Sequence, residues 1–388
     1  MTRCYDVLVI GAGPAGAAAA THAARSGLSV ALIDRSRFPR NKTCGDALSN
    51  LALQELSDLG VREPLESEGA AVRGAVAIFP NGYAVSRDYG DLPGRILPRL
   101  QLDAAIVERA VSAGAELVEG QHVEQIDRGA KEQRLKTRAA AHGSSAGLTL
   151  RGRAVIAADG PGSVARRTLG LEHPAERHLG VAATAYFSGV RLREDHVSEH
   201  YFSKALPHGY FWVFPATAGR SNVGVYQRTD TFKRSGRKLK SLLQEFIAHN
   251  PERFAGAEQQ GNLHSWQLPL SSWQLPPSGP GIVCCGDAAG SVDSLTGEGI
   301  YQALFSGRLA AESCALALEE AGQVTAEHAR RYQHQLARRI SFPQAARSYI
   351  QQALAHVVDH ELERFGWMQR LLELGYGGGR LEVTKRVN

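Results

Sequence analysis

YDVLVIGAGPAGAAAATHAARSGLSVALID, residues 5–34, is the stretch that decides the fold. Tyr5–Ile10 is an apolar run of strand length, Gly11–Gly16 a glycine turn, Ala17–Ser26 an alanine-rich helical stretch, and Leu28–Ile33 a second buried strand. Gly27 follows the helix where a C-terminal glycine cap belongs. The segment is therefore a βαβ unit with G-x-G-x-x-G at its strand-to-helix turn. In that context Gly11 makes the tight turn, Gly13 lets backbone approach a pyrophosphate, and Gly16 lets helix and strand pack closely. Amide N–H groups at the helix start then face the anion. Asp34 ends the second strand 18 residues after Gly16, near the spacing at which a carboxylate takes ribose hydroxyls. Gly11, Gly13, Ala15 and Gly16 are the candidate pyrophosphate positions of a dinucleotide site. Asp34 and Arg35 are candidates for its adenosine half.

Outward from this unit, the apolar residues of Leu48–Leu59 recur at helical spacing, and Ala75–Tyr89 alternates as a strand pair turning at Pro80-Asn81-Gly82. Gln101–Ala113 reads as a helix and Glu116–Ile126 as a strand. The polar stretch 128–147 reads as a solvated loop or hairpin tip. Ala154–Ala158 is again buried strand, ending at Asp159-Gly160. The aromatic and β-branched content of Val181–Val225 predicts sheet. Gly281–Cys285 is a last buried strand, followed by a helix over Gly299–Ala321 and a mostly helical His328–Leu374. GYGGG at 375–379 reads as a cap or flexible turn. Within the predicted sheet, Tyr210, Trp212 and Phe214 fall on one face because strand side chains alternate with period two. Such a stripe suits either core packing or the wall of a binding site.

With 388 residues the chain is long enough for two or three domains, and 43% hydrophobic against 21% charged residues describes an ordinary globular protein. Lys and Arg exceed Asp and Glu by 44 to 39, a net +5 that suits an anionic substrate, a membrane surface or plain solvation. No nucleic-acid partner is expected. Five cysteines, Cys4, Cys44, Cys284, Cys285 and Cys314, lack paired Cys/His zinc spacing, so a reducing cytoplasm is expected and a metal is not. Met1–Cys4 runs directly into a strand without a basic-then-apolar leader, so no export is expected. No run of about 18 apolar residues predicts a spanning helix, while peripheral contact with the inner membrane face stays open.

Further motifs carry a family resemblance. Ala158-Asp159-Gly160-Pro-Gly-Ser163 resembles the A-D-G-x-x-S element of FAD-dependent hydroxylases and geranylgeranyl reductases. Cys285-Gly286-Asp287-Ala-Ala-Gly290, continuing to Thr296-Gly297-Glu298-Gly299-Ile300, is similar to their second flavin motif. Arg99 and Asp103 in PRLQLD resemble the P-R-x-x-L-D element. Pro207-His-Gly-Tyr210-Phe-Trp212-Val-Phe214-Pro215 matches P-x-x-Y-x-W-x-F-P of the geranylgeranyl reductase-like family at every fixed position. Phe38–Asp46 resembles the F-P-R-x-K-x-C-G-[DG] loop of that family. The resemblance covers about residues 5 to 320. It implies an α/β fold of the p-hydroxybenzoate hydroxylase type: a Rossmann-like FAD-binding domain, an antiparallel-sheet substrate domain and a C-terminal helical region. The expected division is 1–75 with 95–170 and 275–325 for FAD, 76–94 with 171–274 for substrate, and 326–388 for the helices.

The resemblance also implies roles. FAD would be held additionally by Arg99, Asp159, Gly286, Asp287, Gly297, Glu298, Gly299 and Ile300, with Asp287 accepting a ribityl hydroxyl. N–H groups around Gly297–Ile300 would meet the pyrimidine end of the flavin, where charge builds up on reduction. Cys44 would lie near the flavin as a cofactor contact and candidate acid, or be a small inert residue in a tight loop. Arg37, Arg40 and Lys42 suit an FAD phosphate, a substrate anion or solvent. Tyr210, Trp212 and Phe214 would contact a long apolar substrate. No second strand-associated G-x-G-x-x-G occurs, so NAD(P)H or another donor would visit as a transient reductant. Two departures stand out: Thr184 replaces an Arg of the R-A-Y-F segment, and Asp293-Ser-Leu-Thr296 replaces a Pro-containing approach to the flavin turn. The halogenase motif W-x-W-x-I-P is absent, which disfavours halogenation.

The implied activity is reduction of isoprenoid C=C bonds on a bulky apolar molecule. The alternative is an NAD(P)H- and oxygen-dependent monooxygenase hydroxylating an aromatic ring, free or borne on a peptide or carrier protein. A flavin-binding protein without turnover is a third class, disfavoured by the intact aromatic stripe. Oligomeric state is not legible.

Overall fold

Strand Cys4–Ile10 is apolar on both faces because both faces are covered, and it forms the centre of a parallel sheet. The computed structural model describes residues 4–140 and 146–376. In it, Cys4–Ile10 pairs in parallel with Val30–Ile33 on one side and Thr149–Ala157 on the other, and Glu116–Val118 and Ile282–Cys284 extend the sheet outward in parallel. The chain leaves the central strand toward one edge and returns to the opposite side of it. The order reverses beside Ile10, and a crevice at the carboxyl ends of the strands is where open α/β sheets bind ligands.

Helix Pro14–Arg25 starts at that crevice with Pro at its first turn. Helix Ile300–Ala321 packs across it so closely that a Cβ on Gly307 would stand 2.2 Å from Ala15 O.

The second sheet has seven strands in the order 258–269, 179–188, 220–228, 209–215, 197–201, 74–78 and 84–88. It is antiparallel except where Val197–Tyr201 runs parallel to Gly74–Ile78. One face buries Phe187, Phe211, Val213, Val223 and Val225 against Leu242, Leu243 and Phe246 of helix Leu239–Ala248. The alternate residues Tyr210, Trp212, Phe214 and Tyr226 cluster on the other face. Period-two alternation thus gives one face to the core and one to the crevice. A small third sheet joins Ala47–Leu48, Gly94–Ile96 and Ala70–Val72.

Two expectations are corrected and one strand is new. Glu116–Ile126 is two strands, Glu116–Val118 and Gln121–Arg128, separated at Gly120, whose φ of 70° turns the chain into a different pairing. The stretch 128–147 is not all loop: Gln133–Ala139 is a strand between Gln121–Arg128 and Thr149–Ala157. Its alternating Gln133, Leu135 and Thr137 are buried while charged neighbours face water. Edge strand Glu258–Pro269 is absent from the sequence reading because its largely polar, exposed residues show no apolar alternation. Most of the GYGGG segment lies outside the described residues; Gly375 and Tyr376 close the helix Gly366–Tyr376. No helix among the described residues is long and apolar enough to cross a membrane.

Candidate functional site

A cavity of about 2230 Å³ runs between the two sheets, from Gly11, Asp34 and Arg35 past Arg99 and Asp287 to Gly297 and the aromatic strand. Pockets for one drug-sized ligand are about 300–1,000 Å³, so this space accommodates an extended dinucleotide together with a second bulky molecule.

The glycine turn builds its first end. Gly11 takes φ 92°, and a Cβ there would lie 2.4 Å from Ala158 O, so only glycine lets the turn pass under the neighbouring loop. Helix Pro14–Arg25 has no side-chain cap at Gly13, leaving first-turn N–H groups for an anion. The Asp34 carboxylate accepts from Ala12 N at 2.7 Å and from Ser36 N at 2.7 Å, tying the end of the second strand to the glycine turn while still bordering the cavity.

Behind the middle of the cavity, Arg99 Nε and Nη2 donate to Asp103 at 2.6 and 2.7 Å, and Arg40 reaches the same carboxylate at 2.8 Å. Two cations on one buried anion hold loop 37–46 to the helix Arg99–Ser112. Lys42 lies 3.8 Å from Asp287 and 5.0 Å over the Trp266 ring. Burial pushes its ammonium pKa down, and Asp287 partly restores it.

At the far end, helix Ile300–Ala321 also starts without a side-chain cap, at Gly299, and Gly297, Glu298, Gly299 and Ile300 all border the cavity. Tyr210 donates its hydroxyl to Thr296 O, and Tyr226 donates to Ser294 O at 3.2 Å, pinning the aromatic sheet to this turn. His200 sits 5.3 Å from the Tyr210 ring and 5.2 Å from Phe214, and burial lowers it to about 4, so it is neutral in the wall.

Thus Gly11, Gly13, Ala15, Asp34, Arg35, Cys44, Arg99, Asp159, Asp287, Gly297–Ile300, Tyr210, Trp212 and Phe214 all border one cavity. Gly16 and Gly286 do not. A Cβ on Gly16 would fall 1.7 Å from Gly11 O, and one on Gly286 2.8 Å from Ala15 Cβ, so these two are packing glycines. Asp159 turns inward, accepting from Val164 N at 2.7 Å, and its Oδ1 is buried without a protein partner.

Sequence reading did not single out Asp46, Tyr186 or Asn222 as site residues, yet they interlock. Tyr186 donates its hydroxyl to Asp46 at 2.6 Å, and Asn222 Nδ2 donates to Cys44 O at 3.1 Å and toward Asp46 at 3.4 Å. Trp212 Nε1 and Thr184 Oγ1 both donate to Asn222 Oδ1, at 2.9 and 2.6 Å. The available signal was Asn222, a polar residue two and four positions from Gly224 and Tyr226 on the cavity-side period of its strand.

The residues fit FAD on the structure's own terms: two uncapped helix starts on one elongated cavity, glycines at 11 and 16 that leave no room for a Cβ, and a carboxylate at the strand end. A family model described as FAD binding domain matches residues 4–341. The chain is 32% identical over 328 residues to menaquinone reductase of Mycolicibacterium smegmatis, covering 80% of this chain and 76% of the relative. It is 33% identical over 331 residues to digeranylgeranylglycerophospholipid reductase 1 of Methanopyrus kandleri, covering 85% of each. A geranylgeranyl bacteriochlorophyll reductase-like structure from Thermoplasma acidophilum superposes with a TM-score of 0.82 at 25% identity, over 93% of this chain and 90% of that one.

Proposed function

Because the chain belongs to the FAD binding domain family, and is an FAD-dependent oxidoreductase, we propose that it adds hydrogen across isolated C=C bonds of an isoprenoid lipid or quinone tail. The observation that carries this reading is the aromatic wall of Tyr210, Trp212 and Phe214, buried together on the sheet face that continues from the Gly297–Ile300 turn.

FAD supplies the two-electron hydride chemistry, which no side chain offers. The protein's own part is placement. Gly11–Gly16 and the helix start at Pro14 would hold the pyrophosphate, Asp34 and Arg35 the adenosine half, and Asp287 with Lys42 the ribityl region. Arg99 and Asp159 stiffen the loops on either side. Gly297–Ile300 would meet the pyrimidine end, where an uncapped helix start favours the negative charge of the reduced state. The aromatic wall excludes water and lays an apolar chain along the site. Cys44, next to the Gly45 that lies against that wall, would serve as a proton donor, since burial raises its thiol pKa and keeps it protonated. The residues 76–94 and 171–274 serve substrate and the flanking segments FAD, while residues between 347 and 376 of the C-terminal helices border the cavity. NAD(P)H or another donor would recharge the site.

The decisive measurement reduces the flavin with dithionite under anaerobic conditions and adds a geranylgeranyl-bearing lipid. Flavin reoxidation with loss of a double bond is expected. Inert reduced flavin that instead needs oxygen and yields a hydroxylated aromatic would replace this reading by the monooxygenase.

Such a substrate resides in a bilayer, and the helix Gly366–Tyr376 at the cavity mouth suits a peripheral contact there. Met368, Leu372 and Tyr376 border the cavity, while Trp367 and Leu371 are 57% and 54% exposed and Leu374 78%. Gln369, Arg370 and Glu373 make the helix amphipathic, and the exposed apolar side chains of Trp367, Leu371 and Leu374 are flanked by Arg364 and Arg370. The protein is expected to cosediment with vesicles containing anionic lipid, and Trp367→Glu with Leu371→Glu should weaken binding about tenfold or more, since each side chain contributes roughly 1.5–3 kcal/mol when buried. Equal sedimentation of the double variant would remove the contact.

A further inference from the structure

We propose that Asp46 and Tyr186 form a proton relay from solvent to the Cys44 thiol, making the turn 44–46 the acid side of the reaction. The inference rests on the C=C reduction reading and extends it to residues that neither the motif reading nor the family assigns.

The turn sits directly on the aromatic wall: a Cβ on Gly45 would touch Phe214 at 3.4 Å and Trp212 at 3.7 Å. Asp46 adopts φ 60°, a conformation that costs free energy in a residue with a Cβ and persists only where surroundings over-determine it. What it gains is a carboxyl turned onto polar partners inside the protein. Its Oδ2 accepts from Tyr186 and Asn222, its Oδ1 is buried without a hydrogen-bond partner among the described residues, and the Cys44 thiol is near enough to feel the charge of the same carboxyl. Asn222 is locked by its bonds to Trp212, Thr184 and Cys44 O, so its amide offers Asp46 N–H and no acceptor.

Among the described residues no cation pairs with Asp46. Arg99 is the nearby candidate from the helix side, but its Nε and Nη2 are committed to Asp103. The groups facing the carboxyl are therefore Tyr186 from the sheet, Arg99 and Asp103 from the helix, and Cys44 from its own loop. Burial outweighs the hydrogen bond from Tyr186 and the attraction of Arg99, and raises Asp46 to about 7. The carboxyl then loads and unloads a proton near neutrality, which a surface aspartate does not do. Tyr186 is half-buried and borders the cavity, with the Arg220 guanidinium 5.2 Å over its ring, so the relay would run from the cavity through its hydroxyl to the buried carboxyl. Burial and the Asp46 charge raise the Tyr186 pKa, so it passes protons as a hydroxyl and not through a phenolate.

The balanced step is as follows. The π pair of the C=C bond takes the proton from Cys44 Sγ–H at one carbon, and the other carbon receives the hydride equivalent that reduced FAD chemistry supplies, so substrate is reduced and flavin oxidised. The thiolate takes the proton of the Asp46 carboxyl. The carboxylate is refilled through Tyr186, and one solvent proton is consumed per double bond. Because Asp46 is raised, the relay is loaded below its pKa and empties as pH rises through about 7.

The test uses the FAD-loaded enzyme, reduced with dithionite, and a geranylgeranyl-bearing lipid. Wild-type reoxidation should fall as pH rises through about 7. Asp46→Asn keeps the shape and tolerates positive φ. It should bind FAD normally, slow reoxidation on the order of 10²-fold and lose the pH limb, while Asp46→Glu restores part of both. Independently of turnover, infrared difference spectra of flavin-free protein should show a protonated carboxyl band that disappears through the same pH range and is missing in Asp46→Asn. An Asp46→Asn enzyme with wild-type rate and pH profile overturns the relay alone, as does a band that does not titrate there. A wild-type enzyme that no isoprenoid reoxidises overturns the saturation reading, and the relay with it.

Discussion

Gly16→Ala is expected to give a protein purified without flavin. A single methyl group is added, but at the one point where helix Pro14–Arg25 rests on the glycine turn: the new Cβ would fall 1.7 Å from Gly11 O and 3.1 Å from Ala158 Cβ. Neither neighbour is a flexible side-chain end. Gly11 is held in a left-handed conformation by the loop at Ala158, and the helix is pinned on its other side by Gly307 against Ala15 O. The turn must therefore open. Overpacking a core typically costs about 1–3 kcal/mol, and contact with backbone puts this case at the upper end. Opening also moves the first-turn N–H groups off the pyrophosphate, removing the stabilisation that bound FAD gives the folded state. Flavin absorbance per protein should drop at least about tenfold, which corresponds to 1.4 kcal/mol of lost binding, with a lower melting temperature. Retained stoichiometric flavin would mean the glycine turn is not the cofactor cradle.

Asp103→Ala should produce the second large effect, through charge. Asp103 is buried and serves Arg99, itself buried, and Arg40 from the loop 37–46. Removing the carboxylate leaves the Arg99 guanidinium without its bidentate partner, and stranding one member of a buried pair costs about 3–5 kcal/mol. Arg99 cannot escape by losing its proton, because a guanidinium stays charged even when buried. The same change unties Arg40, so the loop bearing Lys42, Cys44 and Asp46 loses its anchor. A large fall in the denaturation midpoint and weakened FAD retention are expected together. Asp103→Asn, which keeps one acceptor, should recover part of each. An unchanged midpoint in Asp103→Ala would show that Arg99 finds another anion.

The two predictions differ in how visible their bases were beforehand. Gly16 belongs to a pattern contained in thirty residues, and its steric demand follows from strand, turn and helix alone. The Arg99 and Asp103 pair falls at helical i,i+4 spacing and was noticed as a motif, but Arg40 as third member comes from a different element. Likewise Tyr210, Trp212 and Phe214 were placed on one face by strand periodicity, whereas only the sheet order reveals that this face looks at the cavity and that Phe211 and Val213 look at the core. Strand Gln133–Ala139 was missed because charged residues on its exposed face masked the alternation of Gln133, Leu135 and Thr137. Edge strand Glu258–Pro269 is held by backbone pairing to 179–188 with little apolar signal of its own.

By itself the amino-acid order determined the βαβ unit, its dinucleotide cradle and the order of the flavin motifs, because these depend on dihedral freedom and steric room within a few consecutive residues. Tertiary structure alone decided that Asp46, Tyr186 and Asn222 meet, that Gly45 lies against the aromatic wall, and that Gly16 packs while Gly13 borders the cavity. Those facts depend on which strands neighbour one another and in what register, and a shift of one residue in strand Arg220–Arg228 would turn Asn222 away from the cavity and from Trp212.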